Sequence, residues 1–279
     1  MRLRFALYSA GVLAPGVTSL SELLALFRTG ESGTLQPRAL PSPTMLPANE
    51  RRHASQVVRL ALACAEQALL TSPYPPDQLR CVFASDEGTG EVCQQMLEAL
   101  ATTRQVSPLL FANSVHNAPS GYLAIAYQNR EPAVSVSMGH ESFASGLLCA
   151  VSEAATSGQP VLFLAYDPPL SEPMRSLLPI EQGTATAWII SCGARSEAAN
   201  AGIRSPAQTP LGIFEVRLQP AGTSSACAPP NWLPLAWGAN SSAQGFAVLA
   251  LLADGRGGCE FTLGAQRVSV TLVDGVSAC

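Results

Sequence analysis

The sequence predicts an α/β layered fold with a largely parallel sheet, and three observations carry that reading. Short β-prone runs alternate with helical apolar repeats from Arg4 to Asp167. The run Pro160–Tyr166 is apolar without a break, as expected of a strand buried on both faces. Ala133–Met138 alternates Val with Ser, stops at Gly139, and gives way to Phe143, Leu147, Ala150 and Ala154 at helical spacing.

The elements follow in order. Arg4–Ala10 reads as the first strand. With two arginines and about eleven mostly apolar residues, the same stretch must be weighed as a signal peptide, but Tyr8 and Ser9 interrupt the run and no cleavage site follows. Ser19 and Glu22 form a capping box ahead of Leu20, Leu23, Leu24 and Phe27. Residues 31–49, rich in Ser, Thr, Pro and Gly, read as a loop. A second helix starts near Arg51, buries Val57, Leu60, Ala61, Cys64 and Ala68, and ends at Pro73, Pro75 and Pro76. Arg80–Ala84 is a short strand. Glu91–Thr102 is a helix with Val92, Met96 and Leu100 inward, and Ala118–Tyr127 is apolar enough for a buried helix. Thr184–Ser191 and Gly212–Leu218 read as strands separated by a polar, Ala-rich loop. Residues 220–240 form a loop holding Trp232 and Trp237. Ser241–Ala253 is an apolar helix whose inward face is Phe246, Leu249, Ala250 and Ala253. Cys259–Asp274 alternates like a β-hairpin. The predicted organisation is residues 1–195 as one unit and 196–279 as a reduced C-terminal part packed on the same core.

Composition narrows the function. Hydrophobic residues make up 47% and charged ones 13%, so a large core is available and global disorder is excluded. A net charge of −4 gives no electrostatic footprint for nucleic acid. All 16 basic residues are Arg, which removes Schiff-base chemistry and P-loop lysines. Eight Cys without C-x-x-C pairs suggest neither a zinc cluster nor a disulfide framework. They read as buried reduced thiols of a cytoplasmic protein. No run reaches the ~18 apolar residues of a membrane span, and nothing in the sequence calls for a metal or a cofactor.

The turn Gly139-His140-Glu141-Ser142 sits where a strand breaks into a buried helix. Free N–H groups and the helix dipole favour negative charge there, which suits a nucleophile. The stretch from Asn113 to Ala150 resembles the β-ketoacyl synthases of the thiolase-like fold. It shares Asn117, small residues, Gly121, Ile125-Ala126, Arg130, Glu131-Pro132, a Val-Ser strand and then the turn. Set without gaps from Asn117 through Pro132, the synthase's cysteine falls on His140; a one-residue slip puts Glu141 there. The nearest thiol, Cys149, is about two turns further down the helix. The wording is closer still to the short "chain length factor" proteins of aryl-polyene-type clusters. It resembles them in Arg51-Arg52 before a helix, in Phe83-Ala84-Ser85 with Gly88, and in Ser107-Pro108 leading to Asn113-Ser114-Val115-His116-Asn117. The resemblance runs over roughly residues 1–190.

It implies a thiolase-like αβα fold, an N-terminal ketosynthase half with a shortened C-terminal part. It also implies a catalytically silent subunit that pairs as a heterodimer with an active ketosynthase in fatty acid or polyketide biosynthesis and shapes its acyl tunnel. Condensation needs a thiolate and two imidazoles, and the chain has three His, at 53, 116 and 140, none after His140. Leu109, Leu110 and Phe111, read as an apolar loop, occupy the segment that in the family borders the dimer interface and the partner's tunnel. Asn113, His116 and Asn117 belong to the same stretch, and the two Asn also read as ties from the loop to the sheet through side-chain-to-backbone bonds. Arg51 and Arg52 are candidates for contact with an acidic acyl carrier protein. Two other readings stay open: a hydrolase or acyltransferase using His140, Glu141 or Ser142, and a carrier-protein docking scaffold. The Asp86-Glu87-Gly88-Thr89-Gly90 turn does not read as a phosphate loop, because two acids would repel an anion.

Overall fold

A computed structural model describes residues 1–29, 41–192, 209–220 and 237–275. Trp232, most of the loop predicted over 31–49 and most of the Ala-rich loop after Ser191 lie outside the described residues. The strands are β1 (Arg2–Leu13), β2 (Arg80–Ala84), β3 (Ala133–Val136), β4 (Val161–Asp167), β5 (Thr184–Ser191), β6 (Gly212–Pro220), β7 (Gly258–Leu263) and β8 (Gln266–Gly275). The helices are α1 (Leu20–Thr29), α2 (Ala48–His53), α3 (Gln56–Leu70), α4 (Gly90–Thr102), α5 (Pro108–Asn113), α6 (Ala118–Tyr127), α7 (Ser142–Ser157), α8 (Met174–Leu177) and α9 (Gln244–Asp254).

Local chemistry explains several boundaries. The Glu22 N–H donates to Ser19 Oγ while the Glu22 carboxylate accepts from the Thr18 N–H, so the capping box starts α1 as read. Ser55 caps α3 by accepting from Val58 N. That cap separates α3 from α2, which the sequence reading had merged into one helix. Pro108 opens α5, where its missing N–H costs nothing. The Leu109-Leu110-Phe111 run is therefore helical and not the predicted loop.

All eight strands form one sheet in the order β3-β2-β4-β5-β1-β6-β8-β7. Among the described residues the ladders β3–β2 and β2–β4 are parallel, and β4–β5, β5–β1, β1–β6, β6–β8 and β8–β7 are antiparallel. The expected largely parallel sheet is thus a mixed one. A helix crossover precedes each of β2, β3 and β4, whereas β5 follows β4 through a loop carrying only the four-residue α8, and a reversing connection gives antiparallel neighbours.

Burial alternates across the sheet. On β4, Val161, Phe163 and Ala165 join one core with α7 and α9, while Leu162, Leu164 and Tyr166 join the other with α3 and α6. The first core also takes Phe261, Val268 and Val270 of the terminal hairpin, so the C-terminal strands close around α7 and α9. At its centre Phe143 packs on Phe163, Trp188 and Phe261 with ring centroids 5.6, 5.6 and 5.2 Å away. Each such buried side chain contributes about 1.5–3 kcal/mol. On the other face α3 lies so close to β1 that a Cβ on Gly11 would collide with the Cys64 carbonyl. The Gln67 carboxamide accepts from Val12 N, and Ser9 donates to the Ala68 carbonyl across the same contact.

Three burial expectations are corrected. Leu100 is exposed, and Gly90 and Val92 are the buried residues of α4. Helix α6 buries Ala118, Pro119, Ser120 and Leu123 but leaves Ile125 77% exposed. Ala253 is only half-buried. Helix α4 packs against the short helices α5 and α8, and α6 packs against α3, so each leaves one face outside the two cores.

Candidate functional site

The site lies at the C-terminal ends of β2, β3 and β4, where ligands bind in open α/β sheets. Gly139 (φ +58°) ends the edge strand and turns the chain into α7. Ser142 closes the turn locally: its Oγ accepts from Met138 N at 2.8 Å and donates to the Gly139 carbonyl at 2.6 Å. Glu141 accepts from the Gly264 N–H with both carboxylate oxygens, at 2.9 and 3.0 Å. The Gln244 amide group donates to the His140 carbonyl at 3.0 Å and lies 3.3 Å from His140 Nε2. The Phe143 N–H, in the first turn of α7, donates to Ser241 Oγ at 2.7 Å.

These bonds point three neighbouring residues in three directions. Ser142 is fully buried and bonded to backbone, Glu141 faces the terminal hairpin, and His140 faces α9. His140 sits at the strand-to-helix turn as expected, but it is exposed, not shielded. The cause is β3 itself, an edge strand with exposed residues at Ala133 and Val134. Cys149 is half-buried on α7, and burial, then the nearby Glu153 carboxylate, pushes its thiol up and away from thiolate formation.

A buried polar hub lies underneath. Asp167, fully buried at the end of β4, accepts from Asp86 N at 2.8 Å with one oxygen and from Ser242 N at 2.6 Å with the other. Burial pushes its carboxyl up, and the donors from Ser242, Asp86 and Ser85 pull it back. Asp86 is also raised, first by burial and then by Asp167, with His140 opposing. Glu87 is raised by burial and by Asp86. Ser137 Oγ donates to the Asp86 carbonyl, joining the 85–90 turn to the 137–142 turn.

The remaining predicted residues divide. The His116 ring packs against Gly88, and burial lowers the affinity of the imidazole for its second proton. Thr89 donates to the Ser114 carbonyl, so the 113–117 loop is tied to the same edge. Asn113 is buried and donates to the His53 and Leu109 carbonyls, so its backbone bonds run to α2 and α5 and not to the sheet as expected. Asn117 is exposed, and its side chain does not cap α6. Arg51 is half-buried and Arg52 exposed on α2, which Asn113 links to α5. Leu109 and Phe111 are exposed on α5, Phe111 by 64%, and Leu110 is half-buried. Sequence reasoning missed Asp167, Ser241, Ser242, Gln244 and Gly264. One signal was present: Asp167 is a charge placed directly after an unbroken apolar strand.

The family profile described as β-ketoacyl synthase, N-terminal domain, matches residues 30–213. The chain belongs to the β-ketoacyl synthase family. Comparison with curated protein sequences finds no match. Among solved structures, this β-ketoacyl synthase relative is similar to a complex of the ketosynthase ApeO with its chain length factor ApeC from Xenorhabdus doucetiae. The TM-score is 0.70 at 22% identity, covering 96% of this chain and 99% of that one. It is similar also to the ishigamide ketosynthase/chain length factor, with TM-score 0.70 at 15% identity over 98% and 99% of the two chains. A β-ketoacyl synthase from Burkholderia phymatum gives TM-score 0.68 at 11% identity, over 98% and 100%. At these identities the likeness is one of fold, and it places the thiolase-like ketosynthase architecture on this chain. Among the described residues no group of three or more His, Cys, Asp or Glu could hold a metal ion, and no helix is long and apolar enough to cross a membrane.

Proposed function

We propose that this protein is a chain length factor: a catalytically silent ketosynthase-like subunit that pairs with an active β-ketoacyl synthase in fatty acid or polyketide synthesis of the aryl-polyene type. The observation that carries the reading is the nucleophile turn. It offers His140 or Glu141 where the family keeps cysteine, and the Phe143 N–H at the start of α7 is already bonded to Ser241. A thioester would meet neither a thiolate nor that N–H.

The partner reading draws on a second observation. Leu97, Leu100, Leu109, Phe111, Val115, Ile125, Val134 and Met138 are all exposed, and they belong to α4, α5, α6, β3, the α5–α6 connection and the turn after β3. Large apolar side chains left exposed in this number are what an interaction site would cover. Val134 lies on a sheet edge whose unpaired N–H and C=O groups invite a further strand. The similar structures include two ketosynthase–chain length factor pairs, which supports the same assignment. In this reading α5 reaches the partner's acyl tunnel, Arg51 and Arg52 are available to an acidic acyl carrier protein, and the complex works in the cytoplasm. Residues 1–195 supply the interface, and 196–279 complete the core.

Reconstitution with the ketosynthase encoded beside it tests this. The expected result is a stable heterodimer in which the partner's cysteine alone is acylated by an activated acyl thioester, read by intact mass. An acyl adduct on Ser142 or Cys149 of this chain would sink the silent-subunit reading.

A further inference from the structure

The contacts around the nucleophile turn have a common source. Ser241, Gln244 and Gly264 all come from the C-terminal part of the chain, and they engage Phe143, His140 and Glu141 in turn. Ser242 does the same for Asp167 one layer below. The hairpin β7–β8 is an outlying piece of the sheet: among the described residues β7 is an edge strand whose strand partner is β8. Its tip, at Gly264 (φ +56°), is held by the two oxygens of Glu141. The side chain of Phe261 on the same strand packs on Phe143, two residues after Glu141. We propose that the 139–143 turn is a clasp that fastens α9 and the β7–β8 hairpin to the first half of the sheet, with Glu141 as its latch. On this view the position where the family keeps its nucleophile is occupied by chain assembly.

The clasp rests on contacts within the chain and does not depend on what the partner is. Glu141 suits the role because a carboxylate accepting a backbone N–H makes a charge-assisted bond, stronger than one between neutral groups. Gln244 and Ser241 fix the base of the clasp, and Glu141 fixes the far end, at the tip of an edge hairpin that would otherwise open locally.

Hydrogen exchange on the full chain, read segment by segment, tests the proposal with Glu141→Ala, Glu141→Gln and a control, Glu260→Gln. The control breaks the Arg267 ion pair on the same hairpin and leaves the clasp intact. In Glu141→Ala, the amides of β7 and of the β8 start should exchange about tenfold faster, the loss expected for one charged hydrogen bond. Glu141→Gln, which keeps one acceptor oxygen, should fall between Glu141→Ala and the parent, and β2 and β4 should be unchanged in both. Three results would each overturn the clasp: hairpin exchange in Glu141→Ala equal to the parent, an equal rise in Glu260→Gln, or a uniform rise that includes β2 and β4.

Discussion

His140 shows how little a single residue decides when its neighbours are committed elsewhere. Replacing it with cysteine restores the family's nucleophile, but the flanking groups stay as they are: Phe143 N–H on Ser241, the Gln244 amide on the turn, and no imidazole after residue 140. His140→Cys is therefore expected to show no condensation with carrier-bound extender, measured by product formation. Phe111 makes the opposite case. It is a rigid aromatic, 64% exposed on a helix that Pro108 and the buried Asn113 hold in place. If α5 closes a partner's tunnel, volume at this position sets product length, since close-packed interiors register even one methylene. Phe111→Ala should lengthen products by about one or two extension units and Phe111→Trp should shorten them. Mass spectrometry of the reconstituted complex is the measurement, and identical distributions in both variants would leave the subunit without a ruler. The sequence exposed the chemistry of these residues but not their surroundings. The partners of His140, Glu141 and Phe143 come from residues about a hundred or more positions later, and no local pattern announces them.

At the scale of elements, periodicity was a good guide to which strands and helices form, and a poor one to what covers them. Helix α6 carries an apolar face on both sides, so its sequence reads as fully buried although Ile125 is left outside. The strand preceding the turn was read correctly, yet nothing in its alternation says that β3 is an edge. The direction of β5 was likewise hidden, because it depends on the connection and not on the strand. Helix α9 makes a close contact of the same kind as α3 does on the other face. Gly245 faces Thr186, Phe143 and Trp188, and a Cβ there would lie 2.5 Å from Thr186 Cγ2 and 2.9 Å from the Phe143 ring. Gly245→Ala should therefore lower stability by about 1–3 kcal/mol as the helix is pushed off the aromatic cluster. Urea unfolding gives the value, and a neutral or stabilising result would mean that α9 sits further from β5.

On the scale of the whole molecule, β1 and β6 hold the sheet together through charge as well as hydrogen bonds. Glu215 is buried under Arg2, Arg4 and Arg217, and these guanidiniums hold its carboxyl down to about 2. Because the folded-state pKa is depressed, the stabilisation is complete above the ordinary carboxylate range and is lost as pH falls through about 2. Glu215→Gln should be less stable than the parent at neutral pH, with the gap closing on the acid side. A constant gap from pH 7 to 2 in thermal unfolding would contradict this. The same junction carries a consequence in time. Strand β1 pairs Ala6 with Ser191 on one side and Arg2 with Arg217 on the other. During synthesis at the usual pace, the nascent strand waits ~10–40 s for both neighbours. Until then it is a strand with two open edges, and α3, made earlier than either neighbour, can cover one face only.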